Sequence, residues 1–159
     1  MKYLKLFEQF EEGHKFDILD LYLMELEEVK ELFFKELRRT PPDLENIQVF
    51  LDSGLVDFNT KGDTNNEWMP LEVAVANNLL EVTQFLISYG ADVNLKGDGG
   101  WMPLHFAARN NSLELAELLI SSGADVNAKK DDSYTPLRVA AINGHQKMAE
   151  LLQSHGGIQ

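Results

Sequence analysis

The chain has 159 residues, no cysteine, and 14 basic residues against 26 acidic ones, for a formal net charge of −12. Its length suits one domain with a sizeable core, and the missing cysteines exclude disulfides and thiolate metal sites while permitting a reducing, cytoplasmic setting. The acidity argues against a nucleic-acid or anionic-membrane partner and for a basic one. No run approaches the 18 apolar residues that a spanning helix needs, and MKYLKLFEQFEEGHK lacks the apolar stretch of a signal peptide.

Residues 2–12 and 17–39 read as helices. In the second, Ile18, Tyr22, Leu26, Val29, Phe33 and Leu37 recur at three- and four-residue steps and predict an apolar stripe, with Asp17 as N-cap. Leu19, Leu21, Leu23, Met24, Leu32 and Phe34 add more apolar surface than one stripe needs, so this helix is expected to be sandwiched or to bind a partner. Thr40-Pro41-Pro42 ends it. Asp43 can cap a helix over 43–53, and Gly54 can stop it in left-handed geometry. The link from Gly54 to Trp68 is longer than that from Gly90 to Trp101, so residues 55–67 form a candidate specificity loop. Asp57, Asn59, Gly62, Asp63 and Asn65 faintly imitate a calcium loop, but Lys61 and Trp68 stand where acids belong, and no metal is expected.

From residue 68 onward the sequence repeats every 33 residues. WMPLEVAVANNLLEVTQFLISYGADVNLKGDGG (68–100) is followed by WMPLHFAARNNSLELAELLISSGADVNAKKDDS (101–133) and then by YTPLRVAAINGHQKMAELLQSHGG (134–157). Each unit predicts a short helix starting at Pro70, Pro103 or Pro136, where a missing N–H costs nothing, then a second helix and an extended hairpin. Thr135 can cap its helix, whereas Met69 and Met102 cannot, so those two starts are expected to lean on packing. Asn78 with Glu81, and Asn111 with Glu114, have capping-box spacing. Ala74, Ala107, Ala108, Ala140 and Ala141 keep the first helices thin. Val82, Phe85 and Leu86, with Leu115, Leu118, Leu119, Met148, Leu151 and Leu152, are expected to fill the layer between helices.

The period, PLHFAA and SSGADVNAK together resemble the ankyrin repeat, over residues 43–157. The resemblance implies an all-α solenoid of stacked helix-turn-helix units with short β-hairpin fingers. It divides the chain into a helical N-terminal cap (1–42) and repeats at 43–67 (partial), 68–100, 101–133 and 134–159. It implies a concave face that binds proteins, here formed by Asn65, Asn66, Trp68, Ala76 and Asn77, then Asp98, Trp101, Arg109 and Asn110, then Asp131, Asp132, Tyr134, Ile142 and Asn143. The three aromatics fall in register and should form a stripe, and the aspartates beside them would favour a basic partner. The PLH histidine, His105, is expected to bond locally within the stack.

Nothing points to catalysis or to a cofactor. The histidines His14, His105, His145 and His155 are scattered, and Gly97-Asp98-Gly99-Gly100 follows no strand-to-helix phosphate pattern. Without a second domain, the simplest action is to bind and cover a partner, as an inhibitor or immunity-type protein against a basic toxin. The alternative is an adaptor that also uses its N-terminal helices. The oligomeric state is left open.

Overall fold

The computed structural model describes residues 17–18, 21, 24, 26–39, 41–59 and 68–158. Its helices are α1 (Leu26–Leu37), α2 (Leu44–Asp52), α3 (Pro70–Ala76), α4 (Leu80–Ser88), α5 (Pro103–Asn110), α6 (Leu113–Ser121), α7 (Pro136–Ile142) and α8 (Gln146–Ser154), with a 3₁₀ turn at Asp98–Gly100. The odd-numbered helices pack side by side in one row, the even-numbered helices in a second, and each pair folds back on itself. This is the helical solenoid that the repeat implies. Ala74, Ala107, Ala108 and Ala140 are fully buried between neighbouring first helices, where a larger side chain would push the units apart. Leu86, Leu115, Leu119, Met148 and Leu152 fill the layer between the rows, each contributing about 1.5–3 kcal/mol by leaving water.

The N-terminal stripe differs from the sequence pattern. Residues 17–39 do not form one helix: the chain bends at Met24, whose N–H donates to the Leu21 carbonyl at 3.1 Å, and α1 starts at Leu26. The bend takes Ile18 and Leu26 out of line, leaving them 43% and 49% exposed, while Leu21, Val29, Leu32, Phe33 and Leu37 are buried. Phe33 packs at a tilt on Phe50 of α2 with centroids 5.6 Å apart, and α1 also packs on α3. Two neighbouring helices therefore account for the surplus apolar residues Leu32 and Phe34. Buried Glu36 closes the α1–α2 turn: its Oε1 accepts the Asp43 N–H at 2.6 Å, and Arg39 lies 3.7 Å from its Oε2. Asp43 caps α2 through the N–H groups of Glu45 and Asn46. The expected helix 2–12, Tyr22, and residues 60–67 of the long loop lie outside the described residues.

Two expectations about caps are corrected. The helix starts at Met69 and Met102 have more than packing: the third helical residue reaches back, Glu72 Oε2 accepting the Met69 N–H at 2.8 Å and His105 Nδ1 accepting the Met102 N–H at 3.3 Å. Asn78 and Asn111 are not capping-box residues. They sit at φ 59° and 57°, and the helices that follow start from Leu79 and Ser112 without a side-chain cap. The tight turn between paired helices needs one left-handed residue; Gly144 supplies it in the last unit at φ 72°, and asparagine tolerates it in the others.

A second register of asparagines ties unit to unit. Asn94 Nδ2 donates to the Gly123 carbonyl at 2.9 Å, and its Oδ1 accepts the Asp125 N–H at 2.8 Å. Asn59 does the same with Gly90 and Asp92, and Asn127 with Gly156 and Ile158. Asp57, Asp92 and Asp125 each hold their own turn by accepting the N–H two residues on. Asp57 and Asn59, which imitated a calcium loop in the sequence, are thus the first rung of this ladder.

Candidate functional site

The hairpins that carry Trp101 and Tyr134 are closed by backbone bonds from the Gly97 N–H to the Trp101 carbonyl (2.7 Å) and from the Lys130 N–H to the Tyr134 carbonyl (3.2 Å). No strand forms among the described residues. The two tips join where the Asp131 N–H donates to the Gly99 carbonyl at 3.1 Å. This contact needs Gly100, which has φ +71° and on which a Cβ would meet the Asp131 nitrogen at 2.7 Å. At the base of the first hairpin, a Cβ on Gly97 would collide with the Glu72 carboxylate.

Trp68 and Trp101 both lie against one ring of α5. Phe106 is 5.1 Å from Trp68 and 4.9 Å from Trp101, centroid to centroid. The Arg109 guanidinium covers both Trp101 (5.1 Å) and Phe106 (5.2 Å), and Lys130 lies between Trp101 (5.0 Å) and Tyr134 (5.2 Å). Arg138 covers Tyr134 at 4.4 Å. The order along the face is therefore Phe106, Arg109, Trp101, Lys130, Tyr134, Arg138, with ring and cation alternating. Beside it opens a cleft of about 220 Å³ lined by Trp68, Glu72, Asp98, Trp101, Phe106 and Arg109.

The other expected face residues are placed as follows. Asn65 and Asn66 lie outside the described residues. The Asn77 and Asn143 amides donate to carbonyls of their own helices, Val73 and Val139, and the Asn110 amide reaches the Ala76 carbonyl of the preceding unit at 2.9 Å. Asp98 is exposed at the cleft. Asp132 accepts from Lys130 Nζ and from the Tyr134 N–H, and the Lys130 bond chiefly holds its carboxyl below the usual range. Ile142 is exposed. Sequence reasoning missed Phe106, Lys130 and Arg138. Phe106 could have been found, since it stands where the other units carry Val73 and Val139.

His105, fully buried, holds two units together. Tyr134's carbonyl can only accept, so Nε2 carries the proton and donates to it at 3.0 Å; Nδ1 is then bare for the Met102 N–H. Burial, above all, lowers its pKa. His145 spends its Nε2 on the Arg109 carbonyl. Neither ring stands ready as a base. Among the described residues no three His, Cys, Asp or Glu side chains gather as for a metal, and no helix is long and apolar enough to cross a membrane.

Comparison with known families matches ankyrin repeats, in three copies, over residues 71–159. Two curated relatives match part of the chain. Palmitoyltransferase AKR1 of Eremothecium gossypii is 36% identical over 55 residues, which is 35% of this chain and 8% of that protein. Palmitoyltransferase AKR1 of Naumovozyma castellii is 44% identical over 54 residues, 34% of this chain and 7% of that protein. The chain spans less than a tenth of the length of these relatives, and the likeness is to their repeat region. The ankyrin repeat is a protein-interaction fold with no enzymatic chemistry of its own. The matched span exceeds half of the chain, and together with the stacked helix pairs it makes this chain a member of the ankyrin-repeat family.

Proposed function

We propose that this chain binds a partner protein on the face formed by its first helices and hairpin tips, and acts by covering that partner, as an inhibitor or immunity-type protein does. What carries this reading is the packing of Trp68 and Trp101 around Phe106, with an open cleft alongside. Half-exposed aromatics with charges at their rim have the composition of a binding hot spot. A cytoplasmic setting belongs to the same proposal, since a chain without cysteine needs no oxidising compartment.

The basic partner expected from the net charge has less support on this face. Arg109, Lys130 and Arg138 here stand against Asp98, Asp131 and Asp132. The surplus carboxylates lie elsewhere: Glu45, Asp52, Glu81, Glu114, Glu117 and Glu150 are exposed on the second-helix row, where Lys147 is the opposing base. A toxin-like basic partner would meet its complement there. The adaptor reading draws on exposed Ile18 and Leu26, which could form a second contact at the N-terminal end.

The test is to isolate the protein's complex from its native cells, purify the partner and measure its affinity directly. Trp68→Ala and Trp101→Ala are each expected to weaken binding by about 2 kcal/mol or more, roughly 30-fold. Thermal melts show whether the variants remain folded. Unchanged affinity in two folded variants would remove the face from consideration.

A further inference from the structure

Resting on the proposed binding face, we infer its preferred partner chemistry: a segment that carries carboxylates next to apolar side chains, with one carboxylate received by Arg109. The charge that matters on this face is the charge left unpaired. Lys130 is engaged by Asp132. Arg109 and Arg138 form no ion pair among the described residues, and both are exposed. Arg109 lies over two rings and Arg138 over one, so each guanidinium is held against aromatic surface. A cation–ring contact draws on the charge and leaves N–H donors to spare, and a carboxylate can accept two of them in parallel. Restraint by the rings also lowers the entropy that a long side chain loses on binding.

Among the described residues, the acids near the cleft do not cancel this. Glu72 is 2% exposed and has Oε2 on the Met69 N–H, with Gly97 packed against the carboxylate. Asp98 lines the same cleft without pairing with Arg109. It sets a limit: the segment must keep its carboxylates towards Arg109 and put apolar groups between Trp68 and Trp101. Arg138 lies one unit further along the stripe, roughly 10 Å away at ordinary helix spacing. An extended chain covers that distance in about three residues.

The chain contains two tryptophans, and both line this cleft, so emission excited selectively at tryptophan, apart from the four tyrosines, reports on the site. The probes are blocked 12-residue peptides made of four repeats of Glu-Leu-Ser, Lys-Leu-Ser or Gln-Leu-Ser. The Glu peptide is expected to shift tryptophan emission saturably and more tightly than the Gln peptide. Arg109→Lys, which keeps the charge and loses the fork, is expected to weaken it about tenfold at unchanged melting temperature. The inference fails if Arg109→Lys binds as the parent does, or if no peptide perturbs emission. It also fails if the Lys peptide binds best and is weakened by Asp98→Asn; that result would leave the face a binding site of opposite preference. The affinity of the native partner for Trp68→Ala and Trp101→Ala tests the face itself, independently of the peptides.

Discussion

His105 is held by two bonds of opposite sense, and only the neutral ring can make both. An imidazolium would be desolvated by burial, with the Lys130 charge opposing it more than Asp132 favours it, and a proton on Nδ1 would face the Met102 N–H. The folded pKa therefore lies below the unfolded value of 6.5. Well above pH 6.5 neither state is protonated and the contribution is complete. As pH falls below 6.5 the unfolded chain takes up the proton first, and stability drops by up to about 1.4 kcal/mol per pH unit until the folded pKa is reached. Glutamine can accept from Met102 and donate to Tyr134 without titrating. Melting temperatures between pH 7.5 and 5.5 are expected to fall for the parent protein and to stay flatter for His105→Gln. Parallel curves would assign the acid sensitivity to other groups.

At the scale of the element, the unit boundary depends on paired amide bonds more than on any single ring. Asn94→Ala removes a donor to Gly123 and an acceptor for Asp125 together, both between units. The expected cost is about 1–2 kcal/mol, read from urea unfolding midpoints. The sequence made the helices legible because Pro70, Pro103 and Pro136, and Gly90 and Gly123, recur with a fixed period and each has one conformational use. It made the ladder less legible: Asp57-x-Asn59 lies 35 residues before Asp92-x-Asn94, out of step with the later period of 33, and its phenylalanine replaces the usual valine. The failed capping boxes have a similar cause. Asn78, Asn111 and Gly144 are in register, and the glycine was the clue that this position needs left-handed backbone before it needs a side-chain cap.

At the scale of the whole molecule, net charge was the least transferable signal, because a sum over 159 residues does not say which row of helices carries it. Periodicity transferred best, since a solenoid converts position in the repeat directly into position in space. The same one-dimensional order governs how the chain should come apart. Among the described helices each pair packs chiefly on its neighbours, so stability is a sum of unit terms and interface terms. Leu119 in α6 and Leu152 in α8 are both fully buried leucines, and replacing either by alanine is expected to cost about 2–5 kcal/mol. Their consequences should differ. Leu119 sits in a unit with described neighbours on both sides, so Leu119→Ala weakens two interfaces and should raise amide exchange from α3 through α8. Leu152 lies in the last described pair, so Leu152→Ala should raise exchange in α7 and α8 and leave α3 and α4 near parental protection. Hydrogen exchange resolved by peptide reads both patterns in one experiment. Uniform loss of protection in both variants would mean that the units fold as one indivisible body, and the nearest-neighbour account would have to be given up.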